Sequence, residues 1–243
     1  MVNLLVDIGN SNCKVAFHKN GELFNVTKNV DATLDFILSV IKDEEINVIV
    51  LSNVRDDDPA MYSALEERCN RLIVLDSETK LPLELKYNFP HETLGADRRA
   101  AALAVAMIFP GKDCIKFDFG TALTIDYIDN DGTYSGGNIS LGMQSRFRAL
   151  NTFTKRLPLI TPDNEFPNIG VTISGAMTAG VVLGLIFEVE GYINQKPNNT
   201  VILTGGDAAY FAKKIKKSTF VIPNLVLLGL AQIAEFYADD KKN

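Results

Sequence analysis

The sequence predicts an α/β protein made of two related halves, and three observations carry the prediction. First, an acidic turn, Asp7-Ile8-Gly9-Asn10-Ser11, follows the apolar run Asn3-Leu4-Leu5-Val6. A second, Asp118-Phe119-Gly120-Thr121-Ala122, follows Cys114-Ile115-Lys116-Phe117 at an offset of 111 positions. Second, alternating strand-like residues follow both turns, at Cys13 to Phe17 and at Thr124 to Ile128, and Gly21 falls 111 positions before Gly132. Third, segments with helical spacing then alternate with apolar runs short enough to be buried strands.

In order, the first half reads as strands at about 2–7, 12–18 and 22–27, with a tight turn at Lys19-Asn20-Gly21. Leu34, Ile37, Leu38 and Ile41 recur at helical spacing within a helix over 31–42. Asn47 to Leu51 is apolar enough to be a central strand; a helix at 59–69 and a strand at 72–75 follow. This order is that of one ribonuclease-H-like unit. Gly95-Ala96-Asp97-Arg98 then opens a helix whose small apolar residues run from Ala100 to Phe109, the mark of a buried helix. The second half repeats the pattern with strands at 114–118, 122–129 and 132–140, a long helix at 172–193, a strand at 200–204, and helices at 206–214 and 224–238. A cut at 113/114 divides the two units, and 151–170, with its three prolines, is expected to be a mobile loop.

Composition narrows the function. An apolar share of 47% and a charged share of 22% are those of an ordinary globular protein. A net charge of −6 argues against nucleic acid as a partner, because phosphate-backbone binding needs a dense basic patch. Lys213, Lys214, Lys216 and Lys217 read as the solvated end of a helix. A strand placed almost at Met1 leaves no room for a leader peptide, and no apolar run approaches membrane-spanning length. Cys13, Cys69 and Cys114 lack metal-type spacing and read as reduced thiols, so a cytoplasmic protein is expected. The two histidines, His18 mid-strand and His91 in a Pro-bounded loop, leave proton transfer to carboxylates.

The chemistry concentrates in a few short segments. An acid, a glycine and small polar residues at a strand-to-strand turn suit phosphate: glycine admits close backbone approach, amides and hydroxyls donate, and the carboxylate holds a cation. Lys14 is as well suited to a solvated strand face as to a phosphate. Thr121 offers a hydroxyl where the first copy has the Asn10 amide. Gly95-Ala96-Asp97-Arg98 joins an acid able to take a proton to an arginine able to clamp a carboxylate. Gly136-Gly137-Asn138-Ile139 and Thr204-Gly205-Gly206-Asp207 each read as a bulge or turn, or as bare backbone against a ligand. From residues alone, the reading reaches a nucleotide-dependent phosphotransferase.

These segments, in this order, resemble those of type III pantothenate kinases, members of the actin-like ATPase superfamily of acetate and sugar kinases. Asp7-Ile8-Gly9-Asn10-Ser11-Asn12 resembles the family's first phosphate motif and Asp118-Phe119-Gly120-Thr121-Ala122 its second. Tyr87-x-x-Pro90 and Gly95-Ala96-Asp97-Arg98 resemble its pantothenate region, and Gly136-Gly137-Asn138-Ile139 the glycine pair that follows. The chain departs from the pattern at Leu141, where Pro usually precedes Gly142, and by single extra residues before Gly95 and within 172–177.

The resemblance implies two ribonuclease-H-like domains with ATP in the cleft between them, and transfer of its γ-phosphoryl to pantothenate in the first step of coenzyme A synthesis. It implies Asp97 as general base, with Tyr87, Gly95, Ala96, Arg98 and Thr172 around pantothenate. It implies Asp7, Ile8, Gly9, Asn10, Ser11, Asn12, Cys13, Lys14 and Thr121 around ATP. It further implies Mg²⁺ near Asp7, K⁺ or NH₄⁺ on Asp118, and a homodimer with the substrate pocket at its interface. Two rivals stand beside it: a sugar or small-acid kinase of the superfamily, and a regulator of the Bvg accessory factor type. An intact Asp97 and two phosphate motifs favour the kinase.

Overall fold

A computed structural model describes residues 1–31, 33–90, 92–162 and 165–239, so the expectation for His91 lies outside the described residues. The first acidic turn joins β1 (Val2–Ile8) to β2 (Cys13–Lys19), and β3 (Glu22–Asn29) completes an antiparallel meander. α1 (Leu34–Ile41) starts where the Thr33 hydroxyl accepts from the Phe36 amide, a cap worth about 1 kcal/mol. β4 (Ile46–Asn53) then pairs parallel to β1; α2 (Pro59–Glu66) and β5 (Cys69–Val74) follow. The sheet order is β3-β2-β1-β4-β5. Leu4, Val6, Ile49 and Leu51 meet Ile37, Ile41, Met61 and Leu65 from α1 and α2 in one buried cluster.

The opposite face of β1 and β4 is covered by α3 (Ala96–Ile108) and by the last helix, α7 (Leu225–Asp239). α3 is buried at every position from Arg99 to Ala106, as its composition predicts. Its crossing with α7 is close. A Cβ at Gly229 would lie 2.0 Å from the Ala100 carbonyl oxygen, so only glycine allows these backbones to meet. Before α3, the short strand β6 (Lys86–Tyr87) pairs with Thr133–Tyr134.

The second acidic turn joins β7 (Cys114–Phe119) to β8 (Ala122–Ile128), and β9 (Thr133–Leu141) follows. α4 (Met143–Phe153), α5 (Ile173–Gln195), β10 (Thr200–Thr204), α6 (Ala208–Ala212) and β11 (Phe220–Val221) complete the element order. The strands run β11-β10-β7-β8-β9-β6, and the first five repeat the order of the first sheet with β7 in the place of β1. One core joins Ile115, Phe117 and Leu123 to Phe147 of α4, Leu185 and Val189 of α5, and Phe211 of α6.

Several details differ from the expectation. The sequence offset is not constant: Ile8 pairs with Cys13 but Phe119 with Leu123, so the second turn is one residue shorter. The following turn restores the count, which brings Gly21 (φ +80°) and Gly132 (φ +82°) into equivalent left-handed positions. Gly136-Gly137 lies inside β9, with Gly136 at φ +100°. α4, β6 and β11 had no expected counterpart. The first three residues of 151–170 belong to α4, and Leu157, Ile160 and Phe166 pack against the core. Residues 163 and 164 of that segment lie outside the described residues. α5 is, by length and composition, long and apolar enough to cross a bilayer, contrary to the sequence reading, yet one face of it, with Met177, Val182, Leu185 and Val189, lines the second core.

The chain divides into two units: Met1–Pro110 with Gly132–Tyr134 and Asn224 onward, and Gly111–Asp131 with Ser135–Pro223. A single cut at 113/114 approximates the first crossing but omits the return of α7 to the first unit.

Candidate functional site

In the first unit, three segments converge. Parallel pairing places Ile8 beside Asn53, and the Val54 amide donates to the Ile8 carbonyl at 3.1 Å. Val54 in turn lies beside the start of α3, its Cγ1 4.0 Å from where a Gly95 Cβ would stand. The β1–β2 turn, the end of β4 and the Gly95-Ala96-Asp97-Arg98 segment are therefore neighbours at one edge of the sheet. That edge, where parallel strands end, is where α/β folds bind ligands.

The turn itself is a tight loop closed by the Gly9 amide donating to Asn12 O at 2.9 Å. Asn10 and Ser11 are exposed at its tip, Ile8 is buried beneath, and Asp7 faces Lys14 on one neighbouring strand and Ser52 on the other. Cys13 is fully buried, and its thiol is pushed up to about 12 by burial first and by the Asp7 charge second, with Arg55 partly offsetting them. Its side chain is core packing; only its backbone borders the loop.

At the α3 start, Gly95 caps the helix without a side chain, and its carbonyl accepts from the Arg99 amide at 3.0 Å. The Asp97 carboxylate turns back over it: Oδ1 accepts from the Arg98 amide at 2.7 Å and would stand 2.7 Å from a Gly95 Cβ. A larger residue at 95 would require that carboxylate to move. Tyr87 packs edge-on against Phe89 and at a tilt against Tyr134, at ring separations of 6.2 and 6.1 Å.

Arg99 escaped the sequence reading because it looks like a surface charge beside Arg98. It is buried, and its guanidinium donates to the carbonyls of Asp76 and Thr79 and, at 3.4 Å, to the Tyr87 hydroxyl. The signal for it was indirect: a charged residue inside an otherwise apolar helix needs partners.

In the second unit, Asp118 stands in register with Thr124 and Thr204. The Gly120 amide donates to Ala122 O at 3.0 Å to close the shorter turn. Thr121 is exposed at its tip, and its carbonyl accepts from the Gly142 amide at 3.0 Å and the Ser145 hydroxyl at 2.7 Å. Gly142 caps α4 with its Cβ position only 2.0 Å from Gly120 O, so the turn requires glycine whatever residue stands at 141. Beside Asp118, Lys116 forms a buried ion pair with Asp126 at 2.5 Å and donates to Thr124 Oγ1 at 3.3 Å. Thr172 caps α5, its Oγ1 accepting from the Gly175 amide at 3.1 Å, and it is exposed.

The structure thus brings Asp7, Gly9, Asn10, Ser11 and Asn12 together with Gly95 and Asp97 in the first unit. Asp118, Thr121 and Thr172 belong to the second. Among the described residues no group of three or more His, Cys, Asp or Glu side chains forms a metal-type cluster.

A family model described as type III pantothenate kinase matches residues 3–195. A Cytophaga hutchinsonii protein named type III pantothenate kinase is 38% identical over 239 residues, covering 97% of this chain and 99% of that protein. Its namesake from Porphyromonas gingivalis is 37% identical over 241 residues, covering 96% and 98%. Among solved structures, a conserved Campylobacter jejuni protein placed in the Baf transcriptional-activator family aligns with TM-score 0.65 at 22% identity, covering 97% and 99%. The activator of a Clostridium difficile 2-hydroxyisocaproyl-CoA dehydratase, with bound ADPNP, aligns with TM-score 0.57 at 15% identity, covering 100% and 97%. At such identities the structural likeness speaks for the fold alone, an actin-like ATPase fold.

Proposed function

Because the chain belongs to the type III pantothenate kinase family, we infer that it transfers the γ-phosphoryl group of ATP to pantothenate, giving 4'-phosphopantothenate for coenzyme A synthesis. The observation that carries this is identity of 37–38% over nearly the whole of both chains. The likeness to a Baf-family structure does not compete with it, since at 22% identity it concerns fold only.

Phosphoryl transfer asks a protein mainly for positioning and charge neutralisation. In this reading, Asp7, Ile8, Gly9, Asn10, Ser11, Asn12, Cys13 and Lys14 form the first ATP-phosphate loop, with Thr121 in the second. The exposed tips at Asn10, Ser11 and Thr121 and the glycine at each turn support it. Asp97 takes the proton of the pantothenate hydroxyl, while Tyr87, Gly95, Ala96, Arg98 and Thr172 surround that substrate. The Asp97 carboxylate laid over the bare Gly95 backbone, at the edge shared with the first phosphate loop, supports Asp97 in the role.

Mg²⁺ is held through Asp7 and the phosphates, and K⁺ or NH₄⁺ through Asp118. A single carboxylate suits Mg²⁺, which binds ATP-type sites through one or two carboxylates plus phosphate oxygens. For the monovalent ion, the Phe119 carbonyl beside Asp118 offers a second oxygen: both lie within 2.6 Å of a Gly205 Cβ position. When bound, these cations neutralise developing phosphoryl charge.

The chain acts as a cytoplasmic homodimer. Exposed Leu141, Phe153 and Ile173 on β9, α4 and α5, which line a cavity of about 730 Å³, support association through this face. The deciding measurement is ADP release with purified protein. It should require pantothenate, stop with a Mg²⁺ chelator, and fall when Na⁺ replaces K⁺; ADP release indifferent to pantothenate would overturn the assignment. Sedimentation velocity checks the dimer.

A further inference from the structure

We propose that Arg55 is a ligand of the ATP phosphates, a cation held at the first phosphate loop by the loop's own backbone. The proposal rests on the reading of residues 9–12 as that loop.

Parallel pairing brings the chain leaving β4 alongside the turn. Asn53 then fixes the shape of that chain. Its Oδ1 accepts from the Arg55 amide at 2.9 Å, while its Nδ2 donates to Asp56 O at 3.2 Å and to the Tyr62 hydroxyl at 2.9 Å. From this braced backbone the Arg55 side chain reaches back, and Nε donates to the Gly9 carbonyl at 2.8 Å.

What the side chain does not do is equally informative. Three aspartates follow it directly, yet Asp58 accepts from the Met61 amide at the head of α2 and Asp57 accepts from the Tyr62 hydroxyl. Arg55 is exposed, and among the described residues its guanidinium makes a protein hydrogen bond only through Nε. Anchoring by Nε orients the planar group and keeps both Nη nitrogens beside the turn, with their N–H bonds available. A planar fork of charged donors is the group suited to binding phosphate oxygens two at a time. An arginine placed merely to brace the loop has no need of that free fork.

The test compares Arg55→Gln, Arg55→Lys and Gly9→Val in steady-state kinetics and in binding of ADP and adenosine, with urea midpoints confirming folding. Arg55→Gln is expected to raise the KM for ATP by roughly 10-fold, the scale of one charge-assisted hydrogen bond. ADP binding should weaken with it, while adenosine binding and the KM for pantothenate stay unchanged; Arg55→Lys should recover part of the loss. Equal weakening of ADP and adenosine, or of both substrates, would make Arg55 a brace only and overturn the proposal. If Gly9→Val raises the KM for ATP and Arg55→Gln does not, Arg55 falls and the loop reading stands. If neither moves it, the loop reading falls and takes Arg55 with it.

Discussion

Gly205 lies directly over Asp118: a Cβ at position 205 would stand 2.4 Å from the Asp118 Oδ1 and 2.6 Å from the Phe119 amide nitrogen. Its φ of +92° is also one that other residues rarely adopt. The end of β10 is therefore shaped around the second acidic turn. Gly205→Ala should destabilise the protein by about 1–3 kcal/mol in urea unfolding, through strain and collision together. It should also lower turnover if Asp118 holds a cation, and raising K⁺ should restore part of it. Unchanged stability would show that the turn relaxes freely.

Asp97→Asn tests the proton acceptor. Turnover should fall at least ~100-fold, the usual scale of general-base catalysis, with ATP binding retained. The isosteric amide keeps an oxygen able to accept from the Arg98 amide, so folding should be unaffected. Near-normal turnover would remove Asp97 from that role.

Arg99→Met removes the donors that satisfy the Asp76 and Thr79 carbonyls and the Tyr87 hydroxyl. A loss on the order of 2–3 kcal/mol in urea unfolding is expected, because those acceptors lose a charged donor. If Arg99 also steadies Tyr87, the KM for pantothenate should rise while that for ATP holds. Circular dichroism with urea and a two-substrate kinetic series separate the two effects.

His18 gives a pH dependence of known sign. Burial, only partly opposed by Glu235 at 3.5 Å, lowers its pKa below the usual 6.5. The unfolded chain therefore binds the proton more readily, and stability present above about pH 6.5 is lost as pH falls through the lowered value. Urea unfolding at about pH 7.5 and about pH 5.5 should show a smaller drop for His18→Gln than for the parent. Equal drops in both proteins would assign the effect to other groups.

Much of the fold was legible because its signals are local. The apolar run of β1, the alternation of β2 and the small apolar run of α3 each depend on neighbours in sequence. The missed elements had weak local signals. β6 and β11 are two residues long, and α4 reads as polar apart from the positions that meet the core, such as Met143 and Phe147. The candidate loops were legible as motifs, but Arg55 and Arg99 were not. Arg55 faces Gly9 across 46 positions of chain, and nothing near it in sequence marks the contact.

The amino-acid order alone determined that this is a duplicated α/β chain with two acidic turns, since strand periodicity and glycine-bearing turns arise from short-range sterics. Only the tertiary structure decided that α7 returns to the first unit, that the second turn is a residue shorter, and that Arg55 reaches the Gly9 carbonyl and Arg99 the Tyr87 hydroxyl. Those outcomes depend on which distant backbones can approach closely enough to share hydrogen bonds, as at Gly229 against Ala100. That choice belongs to packing, where contacts between residues far apart in the chain are settled together.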